Sequence, residues 1–450
     1  MYPNHHPRGS AFITTLWVIT ALAALVLTLA GTMRVETQAS ANRMAAAQAE
    51  AALRGAEQFV LAAVQAEVTT PGTLANVNME DMTIGTAHVW IIKPDVEDAG
   101  TLAYGLTDEC GKLNINFATP EMLAGLPDIT QDVVDSIVDW RDPDSTPGAE
   151  GAEDPYYLAL AEPYHCKNTI FETPEELLLV KGVTLDLLYG ADRTREGWLD
   201  DNELTRAASS TSTLTVGNTS PRGIMPYLTV YRPTATTSST SGVADVNANN
   251  SNPLRQALSP TLGSTRTEEI VGLTRLGRPY NSVFDWAARV NLTSAEFAKV
   301  SSKVTANFPG SQAIAKLNIN TAAKQTLMCL PGCDESDASA IISRRDANTA
   351  NPGDISWLLD VLSKEKISKV GAWVTGTSNI YSADIVAVSD AGRAFKRSHI
   401  VVNGGVTPAR IIYRRDMTVH GWPLPDTIRT ALRAGTTVST SSTSSGVLAP

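Results

Sequence analysis

Six carboxylates crowd into sixteen residues of this chain: Asp139, Asp142, Asp144, Glu150, Glu153 and Asp154, set among the prolines and glycines of DWRDPDSTPGAEGAED. Hard oxygen donors on a turn-rich loop are what calcium takes. The spacing is not that of an EF-hand, and a solvated acidic loop is the competing reading. Four cysteines, Cys110, Cys166, Cys329 and Cys333, lack the paired short spacings of a zinc ribbon. In an oxidising compartment they allow three disulfide pairings, with buried free thiols as the alternative.

Catalytic patterns are missing. None of the six histidines sits in HExxH or near a G-x-S-x-G serine. The stretch GLTDECGK, Gly105 to Lys112, has five residues between its glycines and Leu113 where a phosphate loop needs Ser or Thr. An enzyme is not expected. With 36 Lys+Arg against 47 Asp+Glu, a net charge of −11 disfavours a general grip on nucleic acid.

The length of 450 residues suggests two or three domains, and 43% hydrophobic residues suffice for real cores. Charged residues are only 18%, while Ser, Thr, Asn and Ala abound, a surface that suits an exported protein. Ala11 to Met33 is a run of 23 uncharged residues, enough at 1.5 Å per residue to cross a hydrocarbon core of about 30 Å. The sequence from Arg34 to Glu67 is rich in Ala, Gln, Glu and Leu, without proline, and continues the helix. A secretory signal has a shorter apolar core of about 7 to 15 residues and does not run on into such a rod.

A second regularity lies further on. Gly111 to Asp142, GKLNINFATPEMLAGLPDITQDVVDSIVDWRD, aligns without a gap at an offset of 204 with Ala315 to Asp346, AKLNINTAAKQTLMCLPGCDESDASAIISRRD. Twelve of the 32 positions are shared, which marks an internal duplication. Each copy reads as an Asn-x-Asn turn, a short helix, a Leu-Pro hairpin and a second helix ending in Arg-Asp. That is the pattern of a helix-hairpin-helix. DNA-binding versions have Gly-rich hairpins that admit a phosphate. Here the hairpins are LPDIT and LPGCD, and the copies carry net charges of −4 and zero. Nucleic acid is therefore not an expected partner.

The N-terminal nonapeptide MYPNHHPRG, ending in Gly9 against the apolar Ser10–Ala11–Phe12, resembles a prepilin leader. Together with D108ECGKLNIN, DWRDPD at 139–144, GAE at 148–150, PYHCKN at 163–168, ETPEELLLVKGVT at 172–184, PYLTVY at 226–231 and LNINTA at 317–322, the chain resembles general secretion pathway protein K. That is the large minor pseudopilin of type II secretion systems, and the resemblance spans about 9–417. It implies cleavage between Gly9 and Ser10 by a prepilin peptidase and N-methylation of Ser10. It also implies partnership with other minor pseudopilins and the major pseudopilin, and calcium in the helical domain. Thr14 stands at the fifth mature position, where pilin-like proteins usually carry Glu. A carboxylate in hydrocarbon is costly unless paired, so its absence suits a subunit with no neighbour above it, at the pseudopilus tip.

The expected fold is α+β: a pilin-like long N-terminal helix with a small antiparallel sheet, and a large inserted, mainly α-helical domain holding the duplicated helix-hairpin-helix-like units. The boundaries run as leader 1–9, transmembrane and pilin helix 10–68, first part of the sheet 69–109, insertion 110–377, second part of the sheet 378–422, and a disordered tail 435–450. Within the insertion, 206–267 is crowded with Ser, Thr, Asn and Gly and reads as mostly flexible. The expected role is support of pseudopilus assembly and protein export across the outer membrane. The expected location is the inner membrane, single-pass, with the N-terminus cytoplasmic and the bulk periplasmic. Two alternatives stand beside it: a membrane-anchored helix-hairpin-helix protein for DNA binding or uptake, and a minor type IV pilin.

Overall fold

The computed structural model describes residues 10–94, 100–192, 194–195, 197–199, 202–205, 221–233, 243–307, 315–347 and 353–436. Gly9 and the rest of the leader lie outside them, as do 437–450 of the tail.

One unbroken helix, α1, runs from Ser10 to Thr69. At 1.5 Å per residue it is about 90 Å long. Its first half is bare: Phe12, Trp17 and Leu27 are each more than 70% exposed. It is long and apolar enough to cross a membrane. Its second half behaves differently, because Ala49, Ala52, Leu53, Ala56, Val60 and Val64 recur at helical spacing and are all buried. From Ala52 onward they pack on Val89, Ile91, Ile385, Ile400 and Val402 of a sheet. The alanines let the helix lie close to the strands, and Gly404 does the same from the other side. A Cβ there would stand 2.8 Å from Val64 and Val68.

The sheet is antiparallel and is built from both ends of the chain. Strands β1 (Met82–Ile84), β2 (Ala87–Pro94), β3 (Leu102–Tyr104) and β4 (Thr107–Asp108) precede the insertion. Three parallel two-residue ladders come next inside it, numbered in chain order. They join β5 (Leu113–Asn114) to β6 (Leu228–Thr229), β7 (Ala244–Asp245) to β8 (Val304–Thr305), and β9 (Leu317–Asn318) to β10 (Val374–Thr375). The chain then returns as β11 (Ile380–Val388), β12 (Phe395–Asn403) and β13 (Arg410–Asp416). The order is β1-β2-β11-β12-β13, with β3 on β2 and β4 on β11. Because β4 and β11 pair at Tyr381 with Asp108, the insertion leaves and re-enters at one point. The second face of the sheet, Trp90, Ile92, Val386 and Val388, is covered by Ile428 and Leu432 of a C-terminal helix, Asp426–Ala434.

The insertion has its own large core, in which Ile115, Leu123, Ile137, Tyr157, Leu177, Trp286 and Ile319 are buried. The duplication is visible atom by atom. Arg141 donates to the carbonyls of Ile115 and Ala118, and Arg345 donates to those of Ile319 and Ala322 at 3.2 and 2.5 Å, the same partners shifted by 204. Asn114 and Asn318 each accept from the backbone N–H two residues on, at 3.0 and 3.2 Å. Each copy thus closes its short strand, first helix and second helix with one arginine near the end of the last helix.

The structure corrects one expectation. Part of the stretch 206–267 is ordered: among its described residues Asn252–Leu262 is a helix with Leu254 and Leu258 buried, and a second helix starts at Ser264. Pro253 sits in its first turn, where a missing N–H costs nothing. Residues 206–220 and 234–242 of that stretch lie outside the described part.

Candidate functional site

The acidic loop hangs from the end of the helix Gln131–Arg141 and is tied down on both sides. The Asp139 carboxylate accepts from Gly148 N at 3.0 and 3.1 Å, and Asp135 accepts from Glu150 N at 3.1 Å. Lys181 donates to the carbonyls of Glu150 and Gly151, at 2.8 and 3.2 Å. Gly151 is required by this approach, because a Cβ would meet Asp139 Oδ2 at 1.8 Å. Beneath the loop, Trp140 stands edge-on to Tyr157 at 5.2 Å, closing the core.

This folding brings Asp142, Asp144 and Glu153 together, with one ligand oxygen from each within 4.8 Å of the others. Glu153 is 1% exposed, and no N–H or O–H donor reaches its carboxylate, which has only the Cys166 thiol beside it; Asp142 Oδ1 is also buried without a donor. A fourth oxygen was not read from the sequence. Asn168, at φ 48°, donates from Nδ2 to the Asp144 carbonyl at 2.7 Å, and its Oδ1 is buried without a partner. Burial first, and then the neighbouring aspartates, push the Glu153 carboxyl above its ordinary range, and the same causes raise Asp142. Buried acceptors without donors are rare in folded proteins. A hard cation between Asp142, Asp144 and Glu153 would satisfy these carboxylates together, so their oxygens fit calcium.

The other three predicted ligands do not converge. Asp139 is occupied by Gly148 N. Glu150 is exposed and gives the loop only its backbone. Asp154 accepts from Cys166 N at 2.7 Å and pairs with His165 Nδ1 at 2.9 Å, which holds its carboxyl below the usual range.

The cysteines form no disulfide: all four are free thiols. Cys110 packs on Ile380 and Val401 under the sheet, while Cys166 Sγ faces the Asp139 carbonyl at 3.8 Å and Cys329 Sγ the Gln325 carbonyl at 3.3 Å. Burial pushes the Cys110, Cys166 and Cys329 thiols up to about 12, so they are inert at neutral pH.

A second polar centre lies where the insertion meets the sheet. Asp108 is 8% exposed and accepts from Cys110 N at 2.8 Å, Asn318 Nδ2 at 2.8 Å, Thr321 Oγ1 at 2.6 Å and Ser378 Oγ at 2.5 Å. Glu109 accepts from Lys112 Nζ, Thr229 Oγ1 and Ser382 Oγ, each at 2.6 Å. These two side chains join the sheet to both duplicated copies. Burial raises Asp108; burial pushes Glu109 up too, but Lys112 and the two hydroxyls outweigh it and hold that carboxyl low.

The hairpins offer no phosphate cradle. In the second copy Gly332 has φ 71°, and Asp128 holds the matching left-handed position in the first at φ 55°. Asp334 and Asp337 flank the second turn, and both pair with Lys366. Thr14 lies on the bare half of α1.

Comparison with known proteins adds four findings. The model of the family described as type II secretion system (T2SS), protein K, matches residues 121–190. Type II secretion system protein K of Pseudomonas aeruginosa is 27% identical over 192 residues, covering 39% of this chain and 57% of the relative. The putative type II secretion system protein K of Escherichia coli K12 is 24% identical over 201 residues, covering 40% and 59%. These alignments span under three fifths of each relative's length. Among solved structures, a chain of the GspK-GspI-GspJ complex of enterotoxigenic E. coli gives a TM-score of 0.40 at 12% identity, covering 85% of this chain and 99% of that one. A likeness that distant carries no weight for function.

Proposed function

We propose that this chain works as a minor pseudopilin of the type II secretion system protein K kind, at the tip of the pseudopilus, a reading that its matched domain and its two relatives support. Its role is mechanical. The bare half of α1 sits in the inner membrane with the N-terminus cytoplasmic and the bulk periplasmic, and leaves the bilayer among neighbouring helices as subunits are added beneath it. A prepilin peptidase cuts between Gly9 and Ser10, and Ser10 is then N-methylated. The partners are the other minor pseudopilins of the tip and the major pseudopilin. The work done is support of assembly and of export across the outer membrane, without catalysis.

The observation that carries this reading is α1 itself. An unbroken helix from Ser10 to Thr69, apolar and bare below and packed on a sheet above, is what a subunit needs to pass from a bilayer into a helical bundle. The insertion between β4 and β11 is bulky enough to block a subunit stacked above it. Thr14 adds to this, since a subunit with no upper neighbour has no ammonium to meet. In the same reading, Asp142, Asp144, Glu153 and Asn168 hold a calcium ion that stiffens the insertion. Deleting the gene in the native host tests the role: proteins exported by the type II route are expected to accumulate in the periplasm and to be released again on complementation. Unchanged secretion in the deletion strain would refute it.

A further inference from the structure

The two copies of the duplicated unit part company at one charged place. In the first, the Lys112 ammonium and the Thr229 hydroxyl both donate to the Glu109 carboxylate at 2.6 Å. Carried along the repeat by its offset of 204, Lys112 becomes Lys316 and Glu109 becomes Ala313. The second copy has kept the cation and lost the acid that held it. Ala313 lies outside the described residues, and only its identity is used.

The rest of the first copy's arrangement returns in the second. Asn114 pairs with Thr229 in one parallel ladder, and Asn318 pairs with Thr375 in another. The Thr229 carbonyl accepts from Ile115 N at 3.0 Å, and the Thr375 carbonyl accepts from Ile319 N at 3.1 Å. Each threonine hydroxyl accepts from the backbone N–H two residues on, from Tyr231 at 3.2 Å and from Thr377 at 3.3 Å. Thr375 is therefore the counterpart of Thr229. As a donor, however, its hydroxyl reaches only Thr377, at 3.5 Å, too far for a strong bond.

Space stands where the carboxylate is missing. Lys316, Thr375 and Thr377 line a cavity of about 680 Å³, and Arg232 lines it too. The Arg232 guanidinium lies 5.4 Å from the centroid of the Phe117 ring. Among the described residues no carboxylate acts on the Lys316 ammonium, which desolvation alone pushes below the usual lysine value. Glu67, the acid in the cavity lining, is already engaged by Gly72 N and Leu74 N at 2.9 and 2.8 Å. The stretches that adjoin these lining residues in sequence, 234–242, 308–314 and 348–352, contain no Asp or Glu.

We propose that Lys316 and Thr375 form an open receptor for a side-chain carboxylate of a partner protein, with Arg232 as a second cation on the same cavity. The first copy identifies the occupant, because a glutamate side chain fills the equivalent place there. A lysine ammonium on a flexible stem takes a carboxylate from several directions, and a hydroxyl beside it adds a second charge-assisted bond. The cavity is also lined by Val68, near the end of α1, and by Tyr381 of β11. A partner seated here would be tied to the point where stem, sheet and insertion meet.

N-acetylglutamate amide serves as the probe, and N-acetylglutamine amide as its neutral twin. Each is titrated into the full chain in non-ionic detergent and metal-free buffer, so that the acidic loop plays no part, and binding is read by saturation-transfer NMR. The expected result is saturable binding of the glutamate probe, at least about fivefold tighter than that of its twin and weakened by salt. Lys316→Gln and Thr375→Val should each weaken the probe at least about threefold, with the circular dichroism of the parent. Ala313→Glu, which restores the acid of the first copy, should abolish the binding. Equal binding of probe and twin, or unchanged binding of the probe in Lys316→Gln or in Ala313→Glu, would overturn the proposal. Acetate binding as tightly as the probe would assign the cavity to small free acids and overturn the partner. None of these readouts depends on membrane insertion or secretion.

Discussion

Replacing Asp108 by alanine is expected to destabilise the junction between sheet and insertion by about 3–5 kcal/mol. The four groups that donate to this carboxylate come from the segment just before the first copy (Cys110 N), the second copy (Asn318, Thr321) and the residue leading into the returning strand (Ser378). Two hydroxyls can turn to other acceptors, but the amide of Asn318 and the backbone N–H of Cys110 cannot, and each is left buried and unpaired. Asp108→Asn should cost less, about 1–2 kcal/mol, since one acceptor remains. The two variants also separate by pH. Burial raises the Asp108 pKa above its unfolded value, so its contribution is fully present below the ordinary carboxyl range and is lost as pH rises through the raised value. The parent should lose that part of its stability with rising pH, and Asp108→Asn should not. Denaturant unfolding of the full chain in detergent measures both effects. A loss under 1 kcal/mol in Asp108→Ala would mean that the junction is held by packing alone.

The second large effect belongs to the acidic loop. Glu153→Gln is expected to move the melting temperature in opposite directions with and without calcium. In chelator, the parent buries a carboxylate whose two oxygens face no N–H or O–H donor and stand beside Asp142 and Asp144. Removing that charge should raise the midpoint. With calcium present, the parent gains RT ln(1 + [Ca]/Kd), about 2.7 kcal/mol at a hundredfold excess over Kd. The variant forfeits most of this and should melt several degrees lower. A crossing of the two curves is what a metal site predicts. Lower stability of the variant in both conditions would assign Glu153 to the fold and not to an ion.

What the sequence revealed depended on how local the signal was. The membrane half of α1 was legible because 23 uncharged residues have few other uses, and the duplication because it repeats a whole unit. The arginines that close each copy, Arg141 and Arg345, stand among the twelve shared positions. Half of the predicted acidic cluster comes together. Asp142, Asp144 and Glu153 converge, but proximity in sequence could not tell them from Asp139 and Asp154, whose oxygens serve Gly148 and Cys166. Asn168 was missed because it returns from 24 residues away, through a left-handed backbone position. The helix Asn252–Leu262 was hidden by Ser, Asn and Pro, although Leu254 and Leu258 have helical spacing. The C-terminal helix was hidden by its length, since only Ile428 and Leu432 mark its buried face.

The proposed role depends on α1 being the stem of a processed pseudopilin. The most direct measurement is the mature N-terminus, read by mass spectrometry from the full chain expressed with and without a prepilin peptidase. A chain that begins at N-methylated Ser10 only when the peptidase is present is the predicted result. A start near Gly31, or an intact Met1 in both strains, would contradict it and leave an exported or simply anchored protein.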